Sequence, residues 1–332
     1  MTADVFRSFD GIPAVPHVVT IGNFDGVHRG HQFLLGEVRD RARFHGARSS
    51  VVTFDPLPER ILQPDRAPRQ LTTTEDRIHI IGALGIDTIV VLQFDEALAR
   101  LPAEPFAENL IRGLRPVEIV VGADFRFGHR RGGTPELLAE LGKRFDYDLR
   151  VFERVGDQAG DFSSSRIRAL LEAGDVTTAA ELLGRPFVLR GSVESGDQRG
   201  RQLGFPTANL TVPEELAVPA DGIYVALVAI DRARPLLPAM VYIGTRPTFG
   251  KAERLVEVNL LDYAGDLYGR EITTMFVQRV RGDERFDTSE ALVERMRRDE
   301  RESRAILATL PDNWPGEQAL RLLDIADEGV TG

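Results

Sequence analysis

The first half of the chain alternates between two apolar periods. Short β-branched runs predict buried strands at Val18 to Ile21, Ser50 to Phe54, Thr88 to Phe94, Glu118 to Val121 and Leu149 to Val155. Between them apolar residues recur at helical spacing. Phe33, Leu34 and Val38 predict a helix from about His28 to Gly46. Thr74-Glu75-Asp76-Arg77 opens another, which carries Ile78, Ile81 and Leu84 and stops at Gly85. Pro102 to Leu114, with Phe106, Leu110 and Ile111, and Pro135 to Phe145 are two more. Asp55-Pro56-Leu57-Pro58 terminates the second strand, and the polar, Pro-rich residues 63 to 69 predict a loop. Strands alternating with helices of this size predict an α/β fold: a parallel sheet with helices on both faces.

Ser164 to Ala173 and Val176 to Leu183 read as two short helices. Gly184-Arg185-Pro186 then breaks the pattern, and helical spacing largely disappears for the next hundred residues or so. The expected domains are therefore residues 1–184 and 185–332. Phe187 to Val193, Ile223 to Ile230, Ala239 to Ile243, Leu255 to Leu261 and Thr273 to Val280 predict strands of an antiparallel barrel or sandwich. Thr288 to Leu310 is a charged amphipathic helix with Leu292, Met296, Ile306 and Leu307. The tail, Pro311 to Gly332, holds the only Trp, Trp314, leaves room for one short helix and carries no assigned function.

Composition narrows this picture. A length of 332 residues suits two domains, and 42% hydrophobic residues supply two cores. A net charge of −10 argues against a general nucleic-acid binder. No run approaches the ~20 apolar residues of a membrane helix. Met-Thr-Ala-Asp-Val-Phe-Arg lacks the pattern of a signal peptide. The absence of Cys excludes disulfides, thiol nucleophiles and zinc-thiolate sites, and fits a cytoplasmic setting. No nucleic-acid or membrane partner is expected, and nothing in the pattern sets an oligomeric state.

The candidate chemistry begins where the first strand meets the first helix. Gly22, Asn23, Asp25 and Gly26 supply turn chemistry, and a helix start aims free N–H groups at one point, which suits a phosphate. Gly22, Gly26 and Gly30 are expected to let a ligand approach the backbone. His28 and His31, three apart, would share a helix face and could stabilise charge in phosphoryl or nucleotidyl transfer. Two surface histidines, or half of a zinc site, are the alternatives. Ligands of parallel sheets bind beyond the carboxyl ends of the strands. That edge would also carry Asp55, then Asp124 and Arg126 with His129, Arg130 and Arg131, and finally Ser163 and Ser164, either of which can cap a helix.

In the second half the dense stretch is Gly196 to Leu210. Its glycines, Gly196, Gly200 and Gly204, suit a phosphate-approaching loop or a plain turn. Thr207 and Asn209 are oxygen donors two residues apart, able to reach one hard cation. Glu257, on a strand, is either a base for an alcohol or a solvent-facing carboxylate.

Gly22-Asn23-Phe24-Asp25-Gly26-Val27-His28-Arg29-Gly30-His31, Thr53-Phe54-Asp55-Pro56, Val121-Gly122-Ala123-Asp124-Phe125-Arg126-Phe127-Gly128 and Ser163-Ser164-Ser165-Arg166-Ile167-Arg168 resemble the adenylyltransferase module of bacterial bifunctional riboflavin kinase/FAD synthetases. Gly200-Arg201-Gln202-Leu203-Gly204-Phe205-Pro206-Thr207-Ala208-Asn209-Leu210 resembles riboflavin kinases. Ile243-Gly244-Thr245-Arg246-Pro247-Thr248-Phe249, Val256-Glu257 and Gly265-Asp266-Leu267-Tyr268-Gly269 reinforce it. The resemblance spans about residues 15 to 308. It implies a Rossmann-like nucleotidylyltransferase domain followed by an antiparallel β-barrel kinase domain with a C-terminal helix.

It further implies that His28, His31 and Arg168 hold the ATP phosphates. Gly22, Asn23, Phe24, Asp25, Gly26, Asp55, Asp124, Arg126, Ser163 and Ser164 would complete an ATP/FMN site. Gly196, Gly200, Gly204, Phe205 and Pro206 would bind ATP and riboflavin, Thr207 and Asn209 ATP-Mg²⁺, and Glu257 would be the base for the ribityl 5′-hydroxyl. The implied partners are riboflavin, FMN, FAD and ATP, with Mg²⁺ as cofactor. The chain departs from the family at Leu57 and Asn259, where many members have His, at Ser195, likewise, and at Ser165, often Thr. The departures at 195 and 259 are expected to leave the essential chemistry untouched. A kinase paired with another acceptor, and a flavin-binding regulator without turnover, are the competing readings.

Overall fold

The computed structural model describes residues 3–153, 155–194, 205–248, 251–311, 314, 319 and 321–323. The chain forms two compact units, residues 1–164 and 165–332.

The first unit is built on six parallel strands: β1 (Asp4–Phe6), β2 (His17–Ile21), β3 (Arg48–Asp55), β4 (Thr88–Gln93), β5 (Pro116–Gly122) and β6 (Asp148–Phe152). Their order is β1-β4-β3-β2-β5-β6. Connecting helices are α1 (Arg29–His45), α2 (Pro58–Leu62), α3 (Thr74–Ala83), α4 (Glu96–Arg100), α5 (Ala103–Leu114) and α6 (Pro135–Phe145). All of β2 is buried, as a parallel strand covered on both faces must be. Val19, Val52, Val90, Leu110 and Ile119 form the centre of one core cluster. The order reverses beside β2, which is flanked by β3 and β5, so the switch point lies where the β2–α1 loop emerges.

The sequence reading missed β1, α2 and α4, which run three to five residues, too short to display a period. The predicted strand to Val155 stops at Phe152. Beyond it two short antiparallel strands, β7 (Gly156–Asp157) and β8 (Gly160–Asp161), pair with each other.

In the second unit α7 (Ser164–Ala173), which starts at the division, and α8 (Val176–Leu183) precede a closed antiparallel barrel. Its strands are β9 (Val188–Glu194), β10 (Ala208–Thr211), β11 (Gly222–Ile230), β12 (Ala233–Thr248), β13 (Lys251–Leu260) and β14 (Glu271–Gly282), in the order β10-β13-β12-β11-β14-β9. Closure decides for a barrel over a sandwich and leaves no open edge. β12 is longer than the predicted Ala239 to Ile243, and β10 lies in a stretch read as loop. The last helix, α9 (Ser289–Ala308), is fastened through Asp299. That carboxylate is 1% exposed and bound by Arg281 at 2.8 Å from β14 and by Arg295 at 3.0 Å. Most of the tail lies outside the described residues.

The units divide between Ser164 and Ser165, earlier than the expected boundary at 184 and 185. The reason is packing. Val176, Ala179, Leu182 and Leu183 of α8 are buried. The Leu171 carbonyl accepts from Ala220 N at 2.9 Å, and the Ala173 carbonyl from Arg279 Nη1 at 3.2 Å. These ties bind α7 to the second unit, and Thr177 Oγ1 of α8 donates to the Val277 carbonyl of β14 at 3.4 Å.

Candidate active sites

His28 and His31 do not share a helix face. His28 is extended (φ −68°, ψ 171°) and caps α1, its Nδ1 accepting from His31 N at 3.4 Å. The two rings stack, with centroids 3.7 Å apart, and Phe24 packs edge-on against His31 at 5.1 Å. His31 Nδ1 is shielded and without a hydrogen-bond partner. Burial, then the neighbouring His28 and Arg77, hold the His31 pKa well below its ordinary value, so the ring is neutral near pH 7. A neutral imidazole still donates one N–H.

The loop before His28 is strained. Phe24 and Val27 lie at φ 51° and 39°, and Gly26 at 77°. Such non-glycine positions cost ~1–3 kcal/mol each and persist only when the surroundings over-determine them. Here the surroundings are residues 71–77, of which the sequence reading covers only the helix start at Thr74 to Arg77. Asp25 Oδ1 accepts from Leu71 N at 2.8 Å and Thr72 N at 3.4 Å, and Gly26 N donates to Thr72 Oγ1 at 3.2 Å. Arg77, fully buried, donates to the carbonyls of Asn23 at 3.1 Å and Phe54 at 2.6 Å. Burial lowers the Arg77 pKa, and Asp25 and Asp55 oppose this. A buried arginine has no hydrophobic period, and its acceptors are backbone atoms, so no sequence signal announces it.

Several predicted residues turn inward. Phe24 and Asp25 are 1% and 5% exposed. The Asn23 amide donates to Glu59 of α2 at 3.0 Å. A Cβ on Gly22 would meet the Phe24 ring at 3.2 Å, and one on Gly30 the His28 ring at 3.2 Å. Those two glycines make room for the protein's own rings. Asp55 accepts from Thr74 Oγ1 at 2.8 Å. Leu57 is buried, just before α2. Asp124 and Arg126 are exposed, beyond the end of β5, and Ser163 is half-buried. Ser164, rather than capping α7, is its first residue and donates to the Asp25 carbonyl at 2.9 Å. Arg168 lies on α7 in the second unit, where its Nη2 reaches Ser165 Oγ at 3.5 Å.

In the barrel, register assembles the candidates. Asn209 of β10 stands opposite Glu257 of β13 and Glu194 of β9, and Glu257 stands opposite Tyr242 of β12. Directly opposed residues point to the same face of a sheet. Ala208, Leu210, Val256 and Val258 are buried in alternation, so Asn209 and Glu257 face away from that core. Sequence reasoning missed Glu194, one residue past a predicted strand, and Tyr242, inside another. Burial, then Asp283, Asp221 and Glu257, raise the Tyr242 pKa, so its hydroxyl stays protonated near pH 7. Phe205 packs with Met240 and Leu261 beneath Met296 and Leu307, and Pro206 is exposed. Gly196, Gly200 and Gly204 lie outside the described residues.

Among the described residues no three or more His, Cys, Asp or Glu cluster in a way that could hold a metal. The hydroxyl of Thr207 and the amide oxygen of Asn209 are hard donors. They suit a Mg²⁺ ion that brings phosphate ligands of its own.

Residues 13–166 match the family model described as FAD synthetase, and residues 183–307 the one described as riboflavin kinase. A bifunctional riboflavin kinase/FMN adenylyltransferase from Escherichia coli K12 is 36% identical over 284 residues, covering 85% of this chain and 90% of the relative. One from Pseudomonas fluorescens is 39% identical over 293 residues, covering 88% and 93%. A crystal structure described as a macrolide-efflux protein from Streptococcus pneumoniae superposes with a TM-score of 0.82 at 32% identity, covering 92% of this chain and 99% of that one. Efflux is said of that protein alone. Among the described residues here, no helix is long and apolar enough to cross a membrane.

Proposed function

Because the chain belongs to the bifunctional riboflavin kinase/FMN adenylyltransferase family, we propose that each of its two reactions is housed in one of its two folds. The chain transfers the γ-phosphoryl of ATP to riboflavin, giving FMN and ADP. It then joins FMN to the AMP part of a second ATP, giving FAD and pyrophosphate. The observation that carries the division is that the FAD synthetase match covers β2 to β6 of the parallel sheet and the riboflavin kinase match the barrel. We assign residues 1–184 to adenylylation and 185–332 to phosphorylation. Both reactions consume ATP, which supports a cytoplasmic setting.

In the first unit the strained loop presents the backbone of Gly22, Asn23 and Gly26 to the triphosphate, while Phe24 and Asp25 hold its shape from within. Neutral His31 and the capping His28 donate N–H bonds to charge that builds on the departing pyrophosphate. An oxygen of the FMN phosphate attacks the α-phosphorus as the bond to pyrophosphate breaks. The attacking group is already an anion, so no base is needed. Asp55, Asp124, Arg126, Ser163 and Ser164 complete the ATP/FMN site, and Arg168 keeps the phosphate role that the resemblance implies.

In the barrel Glu257 accepts the proton of the ribityl 5′-hydroxyl as its oxygen attacks the γ-phosphorus and the bond to ADP breaks. Thr207 and Asn209 would hold Mg²⁺, which neutralises phosphate charge when bound. Phe205 and Pro206 line the ATP and riboflavin positions, and the resemblance implies the same role for the glycines 196, 200 and 204. Both reactions are mainly positioning and charge neutralisation. Incubating the protein with riboflavin, ATP and Mg²⁺ and separating the flavins by chromatography tests the reading. FMN together with FAD is expected. FMN alone would remove the adenylyltransferase assignment, and unchanged riboflavin would remove both.

A further inference from the structure

Strand β10 starts at Ala208, two residues after a proline. Its ladder with β13 pairs Asn209 with Glu257 and Ala208 with Val258. Continued by one step, that register sets Thr207 opposite Asn259. Pro206 has no N–H to extend the ladder. Its carbonyl still accepts, and a side chain supplies the donor: Asn259 Nδ2 donates to Pro206 O at 2.7 Å. Asn259 is 7% exposed, so this amide is inside the protein and needs a partner. It also faces Met240 across the β12–β13 ladder, and Met240 belongs to the apolar cluster with Phe205 and Leu261. The donor is thus held on an ordered strand and flanked by packed side chains.

The carbonyl of Pro206 and the N and Cα of Thr207 share one rigid peptide plane. A donor on that oxygen therefore fixes the base from which the Thr207 side chain projects. Asn209 shares a face with Glu257, and the register continued by one step would put Thr207 and Asn259 on that same face.

We propose that Asn259 is the positioning residue of the kinase face, setting Thr207 in register with Asn209 so that the magnesium-bound nucleotide sits beside Glu257. This rests on the reading of Thr207, Asn209 and Glu257 as the kinase site. The residue touches no reacting atom itself. Its action is to hold the Pro206 carbonyl through a side-chain hydrogen bond.

The test uses the full chain. Asn259→Asp is nearly the same shape, but presents a carboxylate to a carbonyl and removes the donor. Asn259→His keeps an N–H donor. MgADP affinity is read by calorimetry, riboflavin phosphorylation by steady-state kinetics, and FMN adenylylation in the same preparation reports on the other unit. Asn259→Asp should weaken MgADP binding and raise the KM for MgATP by about tenfold or more, a ~1.4 kcal/mol loss, with the riboflavin KM and adenylylation unchanged. Asn259→His should recover most of the affinity. A purely structural role would lower the unfolding temperature and leave MgADP affinity intact, and that result overturns the proposal. So does an Asn259→His variant that folds as the wild type but binds MgADP as weakly as Asn259→Asp. If Asn259→Asp does not fold, Asn259→Gln carries the test: it keeps the donor one methylene too far out, and wild-type MgADP affinity there also overturns the proposal. Glu257→Gln is measured alongside. If it phosphorylates riboflavin at the wild-type rate, the kinase-face reading itself has failed. If it is inactive while Asn259→Asp binds MgADP normally, only the positioning role has failed.

Discussion

In the parallel-sheet unit the residues proposed to act on ATP gather around the loop that leads from β2 into α1, whereas in the barrel Asn209 and Glu257 sit on the strands themselves. The loop carrying His28 has two non-glycine residues at positive φ and is held by groups far away in sequence, among them Thr72 and Arg77. Asn209 and Glu257 need no such bracket, because the β10–β13 ladder places them opposite each other. A loop site can be shaped to a triphosphate but depends on buried polar support. A ladder site inherits its geometry from register and is sensitive where the ladder runs out, as it does at Pro206.

The largest expected effect concerns where one unit ends. A chain of residues 165–332 should unfold cooperatively and make FMN from riboflavin but no FAD. A chain of residues 185–332 lacks α8 and exposes the surface that covered Val176, Leu182 and Leu183, each 2% exposed or less. At ~1.5–3 kcal/mol per buried side chain, the loss approaches the ~5–15 kcal/mol that holds a domain together. Aggregation, or a much lower unfolding temperature, is expected by scanning calorimetry. Equal unfolding temperatures for the two chains would refute the packing argument. If soluble 165–332 binds riboflavin and ATP yet makes no FMN, the division of activities is wrong.

Two substitutions should separate the sites within the intact chain. Glu257→Gln keeps the shape but cannot accept a proton, and should slow riboflavin phosphorylation by ~10²–10⁴-fold while FAD still forms from supplied FMN. His28→Ala should do the reverse. Losing one preorganised donor to developing charge costs about 3 kcal/mol, roughly a hundredfold or more in rate. Near-normal FMN adenylylation by His28→Ala, or FMN production near the wild-type rate by Glu257→Gln, would sink the corresponding assignment.

The smallest effect is a pH dependence confined to one unit. All six histidines lie in the first unit and none in the second. Burial is the main cause that lowers the pKa of His31, and also of His17. The unfolded chain therefore binds more protons than the folded one just below pH 6.5, and stability rises with pH there. The contribution is fully present above about pH 6.5 and is lost as pH falls from there toward the depressed folded values. Each group accounts for at most ~1.4 kcal/mol per pH unit. The thermal transition of the first unit should fall between pH 7 and 5 more steeply than that of the barrel, and His31→Gln should flatten the difference. A barrel transition that moves as much as the first would show that the histidines are not its source.

Much of both folds is written locally. Alternation of β-branched runs with helical spacing placed β2 to β5 and the helices α1, α3 and α5, because a buried parallel strand must be apolar throughout. Gly22 to His31 was legible as a strand, turn and helix start, and the run from Gly200 to Leu210 as a dense cluster of functional types. What stayed hidden depends on partners distant in sequence. Arg77 looked like part of a helix start, yet its role comes from carbonyls that folding brings to it. The extent of the second unit was obscured because α7 and α8 read as helices after helices, and only their packing ties them to the barrel. Asn259 looked like a neutral departure. Register set it beside a proline carbonyl, and register is decided by tertiary pairing between strands rather than by any residue's own preference.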